Sequence, residues 1–285
     1  MNTNQKLLIL NNVSFHYEII ESVIVKYHEI FNIDSNKVMD IYLHVSNDYS
    51  FQEYIKNKYP KIKFEDIKNY DYYINCTIYD RDFDKLDNNK DSRKKYISHE
   101  ITNRLKKNPN VYFLTPLAKT KFLYTDILPY SKLKNISNIP IYIIQGNLNH
   151  GRRYLNLLNK ILDYTYKYKF IIKLIGKGYL PKELKKHENK IVLRNNLNFI
   201  DYHTEFLDAY CIMPLISKET HPHYYNNKLT SSINYARGYK LKCIIDNDLQ
   251  EIYNLDNVEI YRDINDIKDC FIKTLENFYK NSTAK

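Results

Sequence analysis

The chain has 285 residues, 44% of them hydrophobic and 27% charged, with a net charge of +10. That is enough apolar side chain for a buried core, which excludes a disordered chain, and enough length for one large domain or two of ordinary size. No run of about 18 apolar residues occurs, so no membrane-spanning helix is expected, and Leu7-Leu8-Ile9-Leu10 is too short for a signal-peptide core.

Read in chain order, strand-like and helix-like segments alternate. Leu7–Leu10 is a short apolar strand, and Phe15 to Phe31 follows with helical spacing of Phe15, Ile19, Ile20, Val23, Tyr27 and Ile30. Val38 to Val45 reads as a strand and Phe51 to Tyr59 as a helix ended by Pro60. Tyr72 to Ile78, Tyr96 to Ser98 and Val111 to Leu114 are further strands, with the charged Asp80 to Lys94 as a loop. The segment Leu128 to Asn138 holds no periodic apolar pattern and ends at Ile139-Pro140, which places a boundary between domains 1–138 and 139–285.

A second series then begins. Strands are expected at 141–144, 170–175, 191–193, 210–215, 241–245 and 258–261, and helices at 152–166, 180–187, 202–207, 228–237 and 264–279. The last helix is a candidate to pack back on the first domain. Strands alternating with helices imply parallel sheets wrapped by helices, so the fold class is α/β: two Rossmann-like domains facing a central cleft. Ligands in such sheets bind at the carboxyl ends of the strands.

The cysteines at 76, 211, 243 and 270 have no metal-ligand spacing and read as reduced core residues of a cytoplasmic protein. His221-Pro-His223 lacks a third ligand, so no metal is expected. The basic charge favours anionic partners, but Lys and Arg are scattered without aromatic interleaving, which points away from nucleic acid.

Glycine locates the chemistry. There are only five, all between Gly146 and Gly238. Gly146 and Asn147 close the first strand of the second series, and Gly151 precedes Arg152 and Arg153, a pattern suited to a diphosphate. Gly176-Lys177-Gly178 closes the next strand. Lys228, Thr230, Ser231 and Ser232 gather a cation and hydroxyls at a helix start, an ordinary cap in the bland reading and a phosphate site in the sharper one. No Walker A motif, complete dinucleotide fingerprint or nucleophile elbow is present.

The ordered set of strand-Gly then basic helix start, Ile-Gly-x-Gly, strand-Pro then polar loop, and Ser-Ser-x-x-Tyr-Ala-x-Gly resembles the nucleotide-binding domain of GT-B glycosyltransferases. The likeness runs from about Ile139 to Tyr261 and is nearest the retaining lipopolysaccharide and mannosyl transferases. The AT-rich coding suggested by abundant Tyr, Asn, Ile and Lys is that of giant viruses or low-GC bacteria. The resemblance implies transfer of a sugar from a nucleotide-diphosphate sugar, UDP-sugar favoured, to a glycan or other hydroxyl, with no further cofactor and no metal. It places the diphosphate near Gly146, Arg152 and Arg153, with Asn147 where the family has a basic residue. It places the nucleotide edge at Gly176, Lys177 and Gly178, the base near Leu193, Arg194 and Asn195, and the donor sugar near Ser217 or Glu219. The family's second Glu falls on Ile233. In the first half it implies His99 and Glu100 as sugar-contacting residue and base, with His16 and Glu18 as second candidates. The rivals are an epimerase or inactive binding module of the same fold and, behind them, a nucleic-acid binder. Peripheral membrane contact is compatible with this reading.

Overall fold

A computed structural model describes residues 4–46, 50–86, 91–119, 121–125, 127–131, 137–148, 153, 155–165 and 167–283. The chain divides into two compact units. The first holds Met1–Leu128, Asn198–Ile200 and Asn227–Leu229; the second holds Pro129–Leu197, Asp201–Asn226 and Thr230–Lys285.

The first unit contains β1 (Lys6–Asn11), α1 (Tyr17–Phe31), β2 (Asp40–Val45), α2 (Phe51–Lys58), β3 (Tyr72–Ile78), β4 (Lys94–Ser98), α3 (Asn103–Lys106) and β5 (Val111–Phe113). Its sheet is parallel in the order β2-β1-β3-β4-β5. The strand order reverses between β1 and β3, so the loops after these two strands part and leave room for a ligand. The helix expected from Phe15 starts two residues later. Asn11 Nδ2 donates to the carbonyls of Val13 and Phe15 at 3.1 and 2.9 Å, which holds the loop closed, and His16 takes a left-handed turn of φ 64° before α1. The segment read as a charged loop coils at its start into a 3-10 turn, Asp80–Lys85, because the Asp82 carboxylate accepts the Tyr79 N–H at 2.9 Å.

The second unit contains β6 (Ile141–Asn147), α4 (Asn156–Tyr164), β7 (Ile171–Lys177), β8 (Ile191–Asn195), all but the first two residues of α5 (Phe199–Thr204), β9 (Cys211–Ile212), α6 (His223–Asn226), α7 (Ser231–Gly238), β10 (Lys242–Asp246), α8 (Asn247–Tyr253), β11 (Val258–Tyr261) and α9 (Ile267–Thr283). Its parallel sheet runs β11-β10-β9-β6-β7-β8, a doubly wound order that switches direction between β6 and β9. One sheet face carries Tyr142, Ile144, Ile172 and Leu174, which bury against Leu158 and Ile161 of α4 and Phe271 and Leu275 of α9. Fully burying side chains of this size is worth about 1.5–3 kcal/mol each. Helix α8 was not expected from periodicity. Its signal is chemical: the Asp246 carboxylate accepts the N–H groups of Asp248 and Leu249 at 3.0 and 3.3 Å, and Asn254 closes the helix in a left-handed turn. Cys76, Cys211 and Cys243 are buried free thiols; Cys270 is half-buried and also free.

Candidate functional site

The second unit carries a cavity of about 420 Å³ beyond the carboxyl ends of its central strands. Leu148 and Arg153 line it from the loop after β6, Tyr179 and Lys182 from the loop after β7, and Thr220 and His221 from the loop after β9. It therefore sits at the switch point, where the loops after β6 and β9 diverge.

Arg153 is part of its lining. The guanidinium folds back and donates Nε–H and Nη2–H to the Gln145 carbonyl at 3.1 and 2.9 Å, and the residue is 7% exposed. Of the helix expected over 152–166, α4 covers Asn156–Tyr164, and Arg153 is held against the end of β6. Gly151 and Arg152 lie outside the described residues.

Gln145, which the motif reading passed over, organises the adjoining polar layer. Its amide donates to Ser231 Oγ at 3.0 Å and Ser232 Oγ at 3.2 Å, and its carbonyl oxygen accepts from the Tyr202 hydroxyl. Gln145 is buried at the end of β6, and a polar residue in the otherwise apolar run Ile-Tyr-Ile-Ile-Gln was the available signal. Thr230 caps α7 without a side-chain bond, and its buried hydroxyl has no partner among the described residues.

The glycines at the strand ends answer first to backbone packing. In the register of β6 and β7, Gly146 faces Gly176, with φ of 115° and 142°. A Cβ on Gly176 would lie 1.9 Å from the Gly146 carbonyl oxygen. Gly178 also has a positive φ, 150°, and its carbonyl accepts from the Asn195 amide at 2.6 Å. Lys177 and Asn147 are exposed at the strand ends.

Arg194, Ser217 and Glu219 are not in the lining of this cavity. Arg194 pairs with Glu205 at 3.1 Å, and Glu205 and Asp208 both hold Lys173 at 2.8 Å. Ser217 hydrogen-bonds Thr220, with 2.9 Å between the hydroxyls, while Glu219 is exposed. Leu215, buried on the same loop, has φ 47°, a left-handed strain at the mouth of β9.

The first unit brings together three of the four residues expected there. The imidazoles of His16 and His99 stack with centroids 3.5 Å apart, and His16 Nδ1 lies 3.5 Å from Glu18 Oε1. His16 is held by the left-handed turn before α1 and His99 by the end of β4. Burial, then the neighbouring His16 and the Lys228 ammonium, keep His99 well below the usual histidine range, against a hydrogen bond to the Cys76 backbone. His99 Nε2 is shielded and has no partner among the described residues, so the Cys76 bond belongs to Nδ1 and the neutral ring keeps a lone pair on Nε2. Glu100 is tied up: it accepts the Asp80 N–H at 3.1 Å and pairs with Lys228 at 3.4 Å. The expected base and the expected phosphate cation thus neutralise each other inside the first unit.

The depressed His99 has a consequence for stability. The folded protein resists a proton that the unfolded chain accepts near pH 6.5. Stability is therefore full above that value and falls as pH falls below it. Thermal unfolding between pH 7 and 5 is expected to show a declining Tm, and His99→Gln a shallower decline; an identical slope would remove His99 as the cause.

Among the described residues no group of three or more His, Cys, Asp or Glu is placed to hold a metal, and no helix is long and apolar enough to cross a membrane.

No family model matches the chain, and no curated protein matches it in sequence. Solved structures match its fold. The glycosyltransferase AviGT4 of avilamycin A biosynthesis gives a TM-score of 0.56 at 8% identity, over 98% of this chain and 97% of that one. HepE of Anabaena, solved with UDP and glucose, gives 0.54 at 9% over 99% and 94%. The UDP-GlcNAc 2-epimerase of Neisseria meningitidis, solved with UDP-GlcNAc, gives 0.51 at 9% over 98% and 94%. The chain has the α/β fold of GT-B glycosyltransferases, with parallel sheets of five and six strands.

Proposed function

We propose that the protein is a glycosyltransferase that binds a nucleotide-diphosphate sugar in the cavity of its second unit and passes the sugar to a hydroxyl acceptor. The observation that carries this reading is the Arg153-lined cavity at the β6/β9 switch point. A UDP-bound protein of the same fold supports it.

The residues fit the parts of such a donor. Tyr179 is 60% exposed at the cavity and offers a ring for a nucleobase to stack on. Glu183, also in the lining, offers a carboxylate to ribose hydroxyls. Arg153 and Lys182 face the diphosphate. As the anomeric C–O bond breaks, negative charge grows on that diphosphate, and fixed cations lower the barrier without reorganising. The protein's own cations supply this charge, with no cofactor beyond the donor. In the first unit, His16 with Glu18 is the accessible acid–base pair for the acceptor hydroxyl, and His99 stacks behind it. The buried free thiols suit a reducing compartment, and we place the protein in the cytoplasm.

Arg153→Ala is expected to weaken UDP binding by about 10- to 100-fold, since a charge-assisted hydrogen bond is worth about 1.5–3 kcal/mol. Titration calorimetry with UDP on the wild type and the variant checks it; equal affinities would remove Arg153 from the donor site. The second reading is a nucleotide-sugar epimerase, favoured by a similar fold match to the Neisseria enzyme. Product analysis on a radiolabelled UDP-sugar separates them. Epimerisation proceeds without an acceptor, whereas transfer requires one.

A further inference from the structure

The first unit has its own cavity, of about 520 Å³, a size that holds a small molecule. It contains neither His16 nor His99. Asn12 and Val13 after β1 and Ile78 and Tyr79 at the end of β3 line one side, so it reaches the β1/β3 switch point of the first sheet. The 3-10 turn Asp80–Lys85 lines it further, with Arg81 and Lys85.

Three features define what it accepts. Tyr70, Tyr73, Tyr79 and Tyr96 line the wall, with Tyr70 and Tyr73 stacked at 5.5 Å and Tyr73 edge-on to Tyr96 at 6.1 Å. Such rings present apolar faces and hydroxyl tips together, matching a sugar ring with its C–H face and hydroxyl edge. Thr77 is only 5% exposed, yet its hydroxyl in this lining has no partner among the described residues. A buried hydroxyl left unpaired is costly, and a bound hydroxyl would satisfy it. Arg81 and Lys85 line the same cavity and form no ion pair among the described residues; Arg81 lies over the Tyr79 ring at 5.2 Å. Asp82, the acid in the lining, is already engaged by the Tyr79 N–H.

A nucleotide fits poorly. Close backbone approach to a diphosphate calls for glycine, and the first unit has none, since all five lie between Gly146 and Gly238 outside its segments. Recognition must come from side chains, and those present are aromatic, hydroxylic and cationic.

We propose that this cavity binds a saccharide carrying an anionic group, with its ring against Tyr73 and Tyr96, a hydroxyl on Thr77 and the anion on Arg81 and Lys85. This goes beyond the transferase reading and does not rest on it, since the site needs no donor.

The test uses the full chain and saturation-transfer NMR with trigalacturonate, glucose 1-phosphate and maltotriose as probes. Either acidic saccharide is expected to bind, the two arms telling carboxylate from phosphate, and maltotriose to bind at least 10-fold more weakly. The Arg81→Ala/Lys85→Ala double variant, altered at exposed positions, is expected to lose at least 10-fold for the acidic probe and nothing for UDP. Arg153→Ala should leave the acidic probe's affinity unchanged. The proposal is overturned if no acidic saccharide binds, if maltotriose binds as well as the acidic probe, if the double variant binds normally, or if Arg153→Ala abolishes the binding. Loss of UDP binding to wild type alone would sink the donor site and leave this one standing.

Discussion

Gly176→Ala is expected to destabilise the second unit by about 4 kcal/mol. The Cβ would sit 1.9 Å from the Gly146 carbonyl oxygen and 2.9 Å from its carbon, both backbone atoms of the neighbouring strand. No rotamer change relieves a clash between two backbones, so β6 and β7 must separate where their register puts Gly146 against Gly176. The φ of 142° adds strain that an L side chain rarely tolerates. Strain of this kind costs about 1–3 kcal/mol, and overpacking a similar amount. Because Gly146 is followed by the loop that carries Arg153, UDP binding should fall with stability. Urea unfolding by circular dichroism and by tyrosine fluorescence, the chain having no tryptophan, reads the effect. A midpoint equal to that of the wild type would show that the strands have room to part. Gly146→Ala should cost less, because its Cβ would meet the Arg153 guanidinium, the far end of a side chain, at 2.6 Å.

Lys58→Met is the second large effect, expected to cost about 3–5 kcal/mol. Glu21 of α1 is buried, and Lys58 of α2 approaches its Oε1 to 2.5 Å. The Tyr54 and Tyr59 hydroxyls donate to the two carboxylate oxygens at 2.9 and 3.1 Å. Burial and the adjacent Glu21 charge push the Tyr59 hydroxyl up, so it stays protonated and keeps donating. Removing Lys58 leaves a buried carboxylate without its cation, which is the expensive way to break such a pair. The double variant Glu21→Leu/Lys58→Met removes both charges and is expected to recover most of the loss. Denaturant midpoints of the two variants check this. Equal destabilisation in both would mean that the volume of the side chains, and not the stranded charge, sets the cost.

The two sites differ in how far local pattern revealed them. The Gly146 and Gly176 strand ends were legible because glycine is scarce here and each ends an apolar run. Their reason was not legible. Motif logic assigned them to a ligand, whereas the nearest constraint on Gly176 is the backbone of β6. Arg153 was legible as a cation after a strand, but its return to the Gln145 carbonyl was not, since a hydrogen bond that folds backward carries no periodicity. Lys228 and Glu100 were each legible as charged residues in suggestive places. They lie far apart in sequence, and only folding shows that they neutralise each other. The Tyr-lined cavity left no motif, because its residues come from the loop after β1, from along β3 and β4 and from a 3-10 turn hidden in a charged stretch.

Sequence alone determined the class of the fold. Apolar runs bounded by polar loops and interrupted by helical spacing set the strand and helix order, and parallel sheets follow because successive strands joined through helices must point the same way. Tertiary structure alone decided strand order and the partners of each charge. Both depend on which segments meet across long separations, and the free energy of those meetings is not written in any local window of residues.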